Sequence, residues 1–391
     1  MKDFIYYNPT RVIFQKGAEM NIGEYVIPYS KNILLCHDGV ILKTGLYDKV
    51  MTSLKSYDIK VTELGDITPN PKLSTVYKGI DICNKNNIDF ILAVGGASVI
   101  DAAKAIGIGG RYNGDVADII YGNVVPTESI PVATIITLAG SGTEVTNDAV
   151  ITRDCDLKKR DCYYDCMFPV FSILNPELCF TLPKYQTACG IADIFSHLLE
   201  RFFTSYKYAE ITDNLLVGCM KTILKYGPMV LKEPLEYEYR AQILWTGTVA
   251  SIGILDSGRE GDWACHYISY PVTSLYHVSH GAALAIVTPA WMKYVYSYNK
   301  DRFVKFAVDV LGISYDPDYK ENMIMMAIEK LQDFFESLGL PQSLSQLDID
   351  DSKFAEMAAK ALENGYNSDD TIGDFVRLKK EDLIKIYKLA L

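Results

Sequence analysis

The chain has 391 residues, of which 49% are hydrophobic and 22% are charged, and this length predicts two domains rather than one small core. Its formal net charge is −11 and its largest basic cluster is residues 158–160, which argues against a nucleic-acid partner. Its apolar runs, such as residues 90–94, fall far short of the roughly 20 residues that span a bilayer, which argues against a membrane protein.

The N-terminal residues and the cysteines indicate a cellular compartment. Residues 1–11 lack the apolar core of a signal peptide, and the nine cysteines include no Cys-x-x-Cys pair. Cys155, Cys162 and Cys166 form a loose group whose spacing matches no zinc module, so reduced thiols are the simpler reading and a zinc or redox role is the alternative. We therefore expect a cytoplasmic protein.

The first half of the chain alternates short apolar runs with helical patterns. A helix is predicted over residues 74–86, and strands are predicted over residues 32–36, 59–64, 90–94 and 130–137. Apolar strands separated by helices are typical of a parallel sheet that is covered on both faces. The first half is therefore predicted to be an α/β domain.

The character of the sequence changes near Pro183. Long amphipathic segments replace the strand patterns, at residues 186–204, 209–226, 237–255, 281–298, 322–338 and 353–364. The sequence predicts an α/β domain over residues 1–183 and an all-helical domain over residues 184–391.

A glycine turn follows the third predicted strand. Gly95 and Gly96 end that strand, and Ser98 lies at the start of a helical pattern. Glycines allow a ligand to approach the backbone, and a helix N-terminus attracts an anion such as a pyrophosphate. Ser98 with Asp101 also resembles a capping box, which any helix can carry. The chain contains no Gly-x-Gly-x-x-Gly fingerprint, so the turn alone does not decide between these readings.

A second glycine turn, at residues 140–142, follows the next predicted strand. Open α/β sheets bind ligands at the carboxyl ends of their parallel strands. Two such turns on consecutive strands favour a ligand crevice more strongly than either turn alone.

Histidines are scarce, and their placement points to a metal. Only His37, His197, His266, His277 and His280 are present. Asp193 and His197 stand four residues apart in an apolar helical segment, so both side chains lie on one helix face and can hold one ion. A local hydrogen bond or ion pair between the two is the alternative.

His266 and His280 also lie in apolar surroundings further along the chain. Pro271 is expected to break the helix between them, so that the two imidazoles converge from separate elements. One carboxylate with three imidazoles suits Zn²⁺ or Fe²⁺. A histidine taken alone is more often a core residue than a ligand, so the metal hypothesis rests on the four residues together.

Motifs along nearly the whole chain resemble the iron-containing (group III) alcohol dehydrogenases, and most of all their butanol dehydrogenase-like branch. This resemblance implies a dehydroquinate synthase-like fold, with an α/β dinucleotide-binding domain and an all-helical metal-binding and substrate domain. The motifs lie at residues 7–10, 68–71, 95–101, 140–146, 171–177, 181–184, 190–197 and 280–281.

The resemblance also implies an activity and a metal site. Members of the family transfer a hydride between a small primary alcohol or aldehyde and a nicotinamide cofactor, with a divalent ion on the substrate oxygen. By resemblance, the ligands of one Fe²⁺ or Zn²⁺ are Asp193, His197, His266 and His280. The family also implies a homodimer or a larger homo-oligomer.

The cofactor contacts are likewise carried over from the family. The diphosphate turn falls on Gly95, Gly96 and Ser98, and Asp101 belongs to the same motif. The nicotinamide, expected in the cleft between the domains and facing the metal, and its ribose fall near Thr137, Leu138, Ser141, Lys159, Leu178 and Leu182.

Asp38 predicts the choice between the two nicotinamide cofactors. It follows the first predicted strand, where the family places the adenosine ribose. A carboxylate accepts hydrogen bonds from the ribose hydroxyls and repels a 2′-phosphate. We therefore expect NAD to be preferred over NADP, with a protonated His37 as the feature that would offset Asp38.

Three residues depart from the family pattern. Ala97 replaces the third glycine of the first turn, and Asn175 replaces the usual aspartate before Pro176. Tyr270 stands where the family usually has a second histidine that lines the substrate pocket and helps to move protons. A phenol titrates near pH 10 when unperturbed, so Tyr270 relays protons less readily at neutral pH.

Two other functions compete with the dehydrogenase reading. A lyase or cyclase of the same fold, similar to dehydroquinate synthases, needs several basic side chains for a phosphorylated substrate, and the metal-site segments are poor in them. A catalytically impaired family member with a binding role is supported only by Tyr270.

Overall fold

The computed structural model of the chain describes residues 1–156, 158–364, 367 and 369–391. The chain forms two compact units, one of residues Tyr7–Leu182 and one of Pro183–Leu391 together with Met1–Tyr6. The first unit is α/β and the second is helical, so the predicted fold class is confirmed. Within the described residues, no helix combines the length and apolar character needed to cross a membrane.

The α/β unit is built on a six-stranded sheet in which all neighbouring strands run parallel. In chain order its strands are β1 (Arg11–Phe14), β2 (Asn32–His37), β3 (Lys60–Leu64), β4 (Phe90–Gly95), β5 (Val132–Ile136) and, after the antiparallel pair β6 (Asp148–Thr152) and β7 (Lys159–Tyr163), β8 (Phe171–Leu174). Across the sheet the order is β1-β8-β5-β4-β2-β3.

The four predicted strands are β2, β3, β4 and β5 of the structure. Strand β4 is buried at every position, as expected for a central strand of a parallel sheet covered on both faces. The four-residue strands β1 and β8 were not expected, because so short a run carries no readable period. The helices of this unit are α1 (Ile22–Val26), α2 (Val40–Lys43), α3 (Leu46–Ser56), α4 (Leu73–Asn86), α5 (Ala97–Gly109) and α6 (Val116–Ile120).

All six amphipathic segments predicted in the second half correspond to helices. The longer helices of this unit pack buried apolar faces such as that of Ile191, Ile194 and Phe195. In chain order the helices are α7 (Lys184–Phe202), α8 (Glu210–Lys232), α9 (Tyr237–Ser251), α10 (Ala264–Tyr276), α11 (His280–Val295), α12 (Lys300–Lys305), α13 (Lys320–Ser337), α14 (Phe354–Asn364) and α15 (Lys380–Leu389).

The expectation that Pro271 breaks a helix is wrong. Pro271 lies inside α10, and the helix ends after Tyr276, where His277 adopts a left-handed conformation with φ 57°. An interior proline costs about 3 kcal/mol because it removes a backbone hydrogen bond and crowds the preceding turn. The residues around it, among them Ile268 and Val272, are fully buried, and their packing offsets that cost.

Asn175, the departure that the sequence left unexplained, has a structural role at the end of β8. Its Oδ1 accepts a hydrogen bond from the Glu177 amide at 3.1 Å, and its Nδ2 donates to Glu19 Oε2 at 2.9 Å. Asn175 is fully buried and Glu19 is 1% exposed. An aspartate at this position would place a second carboxylate against Glu19, whereas the amide donates to it.

We expect Asn175→Asp to lower the free energy of unfolding by about 2–4 kcal/mol at pH 8, because a buried hydrogen bond becomes a repulsion between two carboxylates. The midpoint of urea-induced unfolding measures the change. Adding Glu19→Gln should recover most of the loss, since the glutamine amide can donate to the new aspartate. A wild-type midpoint for the single variant would contradict this account of Asn175.

Candidate functional site

Helix α7 presents three functional groups on one face. Asp193, His197 and Glu200 follow one another at spacings of four and three residues, so their side chains stack along the helix. Asp193 is 8% exposed and Glu200 is fully buried. His197 Nδ1 bonds to the Asp193 carbonyl oxygen at 2.9 Å. The helix thus concentrates carboxylates and an imidazole where little water can reach them.

Two further imidazoles reach Asp193 from other helices. His266 lies in the first turn of α10 and His280 is the first residue of α11. The Nε2 atom of each lies 3.7 Å from Asp193 Oδ1. The ligand atoms of Asp193, His266 and His280 all lie within 4.8 Å of one another. Ligand atoms that share one ion at about 2.1 Å lie roughly 3–4 Å apart, so a small contraction would complete the site.

His197 stands beside this trio rather than within it. Its ring centroid is 4.5 Å from that of His266. With Nδ1 donating to the Asp193 carbonyl, the lone pair lies on Nε2, the form in which an imidazole binds a metal. Of the four sequence-predicted ligands, the structure groups three, and it places the fourth against the ring of one of them.

Two buried atoms of the trio test whether a cation fits. Asp193 Oδ1 and His266 Nε2 are both buried, and neither has a hydrogen-bond partner among the described residues. An unpaired buried carboxylate oxygen costs several kcal/mol, and a cation between the two atoms removes that cost. The residues present therefore fit a divalent ion.

The electrostatics agree with that reading. Burial would raise the pKa of Asp193, but the imidazoles of His197, His266 and His280 outweigh it and lower that pKa below its ordinary value. Burial lowers the pKa of His197 to about 4, against the opposing charge of Asp193. An ionised carboxylate and a neutral imidazole are the forms that coordinate a metal.

Two residues that sequence reasoning missed orient the histidines. Glu200 Oε2 accepts a hydrogen bond from His266 Nδ1, and Glu200 Oε1 accepts one from the Cys265 amide at 2.6 Å. Ser269 Oγ donates to the His266 carbonyl at 2.7 Å and lies 3.3 Å from His280 Nδ1. The contact of Glu200 with His266 and that of Ser269 with His280 each hold an Nδ1 atom, and each directs the Nε2 of that ring toward Asp193. The available signal was the spacing of Glu200, seven residues after Asp193 on the same helix.

Glu200 also changes the acidity of His266. Burial would lower the pKa of His266, but the charge and hydrogen bond of the Glu200 carboxylate outweigh it and raise that pKa to about 9. A metal must therefore displace a proton from His266 at neutral pH. The Glu200 carboxylate also makes the His266 imidazole more basic, and hence a stronger ligand once the proton has left.

We expect Glu200→Gln to weaken Zn²⁺ binding about ten- to a hundredfold, because a neutral amide orients His266 less firmly and no longer raises its basicity. Competition against a chromophoric chelator measures the dissociation constant. The matched control is Glu210→Gln, whose carboxylate on α8 is 73% exposed. Equal zinc affinity in the wild type and both variants would show that Glu200 is not a positioning residue.

Tyr270 lies next to the proposed ligands. It follows His266 by one turn of α10, and its ring centroid is 5.9 Å from that of His280. The side chain is half-buried. His277, which matched no ligand of the resembling family, is exposed at the end of α10 and lies outside the group of ligand atoms.

In the α/β unit, the strand register aligns the residues expected to bind the cofactor. His37 of β2 pairs with Val94 of β4, and Gly95 of β4 pairs with Ile136 of β5. The chain leaves β2 toward β3 on one side and leaves β4 toward β5 on the other. The carboxyl ends of β2 and β4 therefore form a topological switch point, which is where open α/β sheets bind ligands.

The first glycine turn is open where a diphosphate would approach. Gly95 has φ 157°, and a Cβ there would lie 2.7 Å from Val99 Cγ2, so the turn itself requires glycine. A Cβ on Gly96 would have Leu138 Cβ, 3.9 Å away, as its nearest described neighbour. Packing therefore does not require Gly96, whereas a ligand at the N-terminus of α5 would.

The structure shows no capping box formed by Ser98 and Asp101 at this turn. Gly96 is the N-cap of α5, and Ser98 Oγ instead accepts a hydrogen bond from the Asn70 amide at 3.2 Å. Ala97 is the first helical residue, so the third position of the turn needs no left-handed conformation. The replacement of glycine by Ala97 is therefore compatible with the turn.

Asp101 supports the second glycine turn from beneath. Its Oδ1 accepts a hydrogen bond from Thr143 Oγ1 at 2.7 Å, and its Oδ2 accepts one from the Val150 amide at 3.2 Å. Lys104, which sequence reasoning missed, is fully buried and donates to the carbonyls of Thr143, Thr146 and Asp148 at 2.5, 2.8 and 2.9 Å. The two residues brace the loop that carries Ser141.

The other predicted cofactor residues follow β5, lie on β7 or follow β8. The Thr137 amide bonds to the Gly95 carbonyl at 3.1 Å, and Ser141 Oγ accepts from the Thr143 amide at 3.4 Å. Lys159 is 8% exposed on β7, and burial lowers its pKa to about 8. Leu178 packs against the core of the unit after β8, and Leu182 is its half-buried last residue.

Asp38 follows β2 at the switch point. Its Oδ1 accepts from the Val40 amide at 3.1 Å, and its Oδ2 lies 3.4 Å from where a Cβ of Gly95 would be. Burial raises the pKa of this half-buried carboxyl. His37 is 3% exposed and its Nε2 lies 3.5 Å from Glu63 Oε2, so the imidazole faces strand β3.

Comparison with known proteins assigns both units of the chain to one family. The family described as "Iron-containing alcohol dehydrogenase" matches residues 9–176, and the "Fe-containing alcohol dehydrogenase family, C-terminal" matches residues 187–391. A "Probable NADH-dependent butanol dehydrogenase 1" of Bacillus subtilis is 39% identical, with 100% of each chain covered. "NADH-dependent butanol dehydrogenase A" of Clostridium acetobutylicum is 37% identical, with 99% of each chain covered.

A solved structure gives the same result. The crystal structure of NADH-dependent butanol dehydrogenase A from Thermotoga maritima matches with a TM-score of 0.95 at 34% identity, and the match covers 100% of this chain and 99% of that one. On these findings, the chain belongs to the iron-containing alcohol dehydrogenase family and is similar to its butanol dehydrogenases.

Proposed function

We propose that this chain is a metal-dependent alcohol dehydrogenase and aldehyde reductase that transfers a hydride between a small primary alcohol or aldehyde and NAD(H). One Fe²⁺ or Zn²⁺ would be held by Asp193, His197, His266 and His280. The observation that carries the proposal is the trio of ligand atoms within 4.8 Å, in which the buried Asp193 Oδ1 and His266 Nε2 have no hydrogen-bond partner among the described residues.

The side chains around the trio supply most of what this chemistry needs from the protein. A divalent ion bound there would polarise an alcohol or carbonyl oxygen, and the nicotinamide would exchange the hydride. Asp193 contributes the negative charge that holds the ion, while Glu200 and Ser269 keep the imidazoles in the coordinating tautomer. Tyr270, beside His280, has a hydroxyl that can pass a proton to or from the substrate oxygen.

The preference for NAD(H) has two lines of support. The first is Asp38 at the carboxyl end of β2, where a carboxylate pairs with ribose hydroxyls and opposes a 2′-phosphate. The second is that two curated relatives and one solved structure, all named above, are described as NADH-dependent butanol dehydrogenases. The turns at Gly95–Gly96 and residues 140–142 would hold the diphosphate through their backbone amides.

A reconstitution assay tests the proposed function. The purified chain is stripped of metal, reloaded with Fe²⁺ or Zn²⁺, and assayed with C2–C6 aldehydes and NADH or NADPH. We expect NADH oxidation that depends on the added metal. The proposal fails if the protein binds one ion per chain and yet oxidises neither cofactor with any aldehyde.

We expect Tyr270→His to raise kcat near pH 7, because an imidazole titrates there and a phenol does not. General acid–base help is worth about 10²–10⁴-fold, so even a partial gain is measurable. Tyr276→His, at the end of the same helix, is the matched control. A Tyr270→His enzyme that is no faster than the wild type between pH 6 and 8 would show that the site already works with the tyrosine hydroxyl.

We further propose that the protein acts in the cytoplasm as a homodimer or larger homo-oligomer. All nine cysteines are free, several of them buried, which suits a reducing compartment. The oligomer is supported by the family resemblance. Light scattering coupled to size exclusion tests it, and a monomeric mass at micromolar concentration would contradict it.

A further inference from the structure

A second carboxylate lies beside Asp38 at the carboxyl edge of the sheet. Cys36 of β2 pairs directly with Leu64 of β3, and Asp38 and Asp66 each follow two residues later. The Ile67 amide bonds to the carbonyl of His37, the last residue of β2, at 3.2 Å, which extends the pairing beyond the end of β3. Asp66 is therefore held next to the segment that carries Asp38.

The Asp66 side chain points at the turn that follows Asp38. A Cβ on Gly39 would lie 3.3 Å from Asp66 Oδ1, while a Cβ on Gly95 would lie 3.4 Å from Asp38 Oδ2. The Asp66 carboxylate thus lies beside Gly39, and the Asp38 carboxylate lies beside Gly95. Asp66 is exposed and has a left-handed backbone with φ 58°, a conformation that asparagine also adopts readily.

We propose that Asp66 is a second specificity-determining residue, which together with Asp38 excludes a 2′-phosphate and thereby favours NAD(H) over NADP(H). This inference rests on the proposed function, in which the carboxyl ends of β2 and β4 bind a nicotinamide dinucleotide. A 2′-phosphate extends from the ribose toward the turn after β2, so it would face both carboxylates and not Asp38 alone.

The expected size of the effect follows from charge and exposure. A phosphate monoester carries about −1.5 to −2 charges at pH 7, so each carboxylate repels nearly two charges. Asp66 is exposed, and water and salt screen it more than they screen the half-buried Asp38. We expect removal of the Asp66 charge to favour NADPH about three- to tenfold, and removal of the Asp38 charge to have the larger effect.

Direct binding of the reduced cofactors tests the proposal without turnover. Dissociation constants for NADH and NADPH are measured by calorimetry on metal-free protein in 20 mM and 500 mM salt. The variants are Asp66→Asn, Asp38→Asn and the double variant. Asp58→Asn is the matched control, because Asp58 is also exposed and left-handed, with φ 54°, but lies at the amino end of β3.

The expected result is that Asp66→Asn tightens NADPH binding about three- to tenfold in low salt, leaves NADH within twofold, and loses most of its effect in high salt, since the screening length shortens from tens of ångströms to a few. The double variant should exceed Asp38→Asn. If Asp66→Asn behaves like Asp58→Asn while Asp38→Asn still shifts the preference, Asp66 has no such role. If the wild type binds neither cofactor, the proposed function fails as well.

Discussion

Replacing His280 with alanine is expected to remove most of the bound divalent ion and about a thousandfold or more of the aldehyde-reductase turnover. His280 supplies one of the three ligand atoms that lie within 4.8 Å of one another. Without it, Asp193 and His266 keep an incomplete set, and the coordination that fixes one ion is lost. A catalytic ion stabilises the transition state by several kcal/mol, and about 4 kcal/mol corresponds to a thousandfold in rate.

Elemental analysis after dialysis and steady-state kinetics with NADH measure the two losses, and far-ultraviolet circular dichroism checks the fold. The matched control is His277→Asn, because His277 is exposed three residues earlier and asparagine accepts its left-handed conformation. We expect the control to retain metal and activity. Full metal occupancy in His280→Ala would remove His280 from the ligand set.

The second large effect is expected in cofactor choice. The wild type should prefer NADH over NADPH by about one to three orders of magnitude in kcat/KM, and Asp38→Gly should remove most of that preference. At about 4 Å and an effective dielectric near 20, each pair of like unit charges costs about 4 kcal/mol before screening. Salt and side-chain movement reduce this cost several-fold.

The structure places His37 between Asp38 and a second acidic residue. Its imidazole is buried, with Nδ1 3.0 Å from the Asp38 carbonyl oxygen and Nε2 3.5 Å from Glu63 Oε2, so the Glu63 carboxylate offsets any positive charge on the ring. The measurement is kcat/KM with both cofactors for the wild type, Asp38→Gly and the Asp58→Asn control. Equal or better use of NADPH by the wild type would show that the carboxylate at position 38 does not select the cofactor.

The sequence by itself determined the features that depend on neighbouring residues. Alternating apolar runs and helical patterns predicted the four central strands and the helices of the second half, because burial imposes those periods locally. The glycine turns after β4 and β5 were also visible, because each is a group of neighbouring residues that directly follows a predicted strand. The pairing of Asp193 with His197 followed from the helical repeat, which places residues four apart on one face.

Only the tertiary structure decided which distant residues meet. His266 and His280 come to Asp193 on two other helices, and no local pattern links either histidine to Asp193. Glu200 and Ser269 orient the two imidazoles through contacts between helices. Pro271 lies inside a helix because packing outweighs its intrinsic preference.

Two residues in the α/β unit show the same division. The amide of Asn175 bonds to Glu19, which lies 156 positions earlier in the chain. The register of β2 with β3 places Asp66 beside the segment that carries Asp38. Such contacts depend on how strands and helices pack, and packing is a property of the whole fold. The sequence therefore indicates which chemical groups are available, and the tertiary structure determines which of them act together.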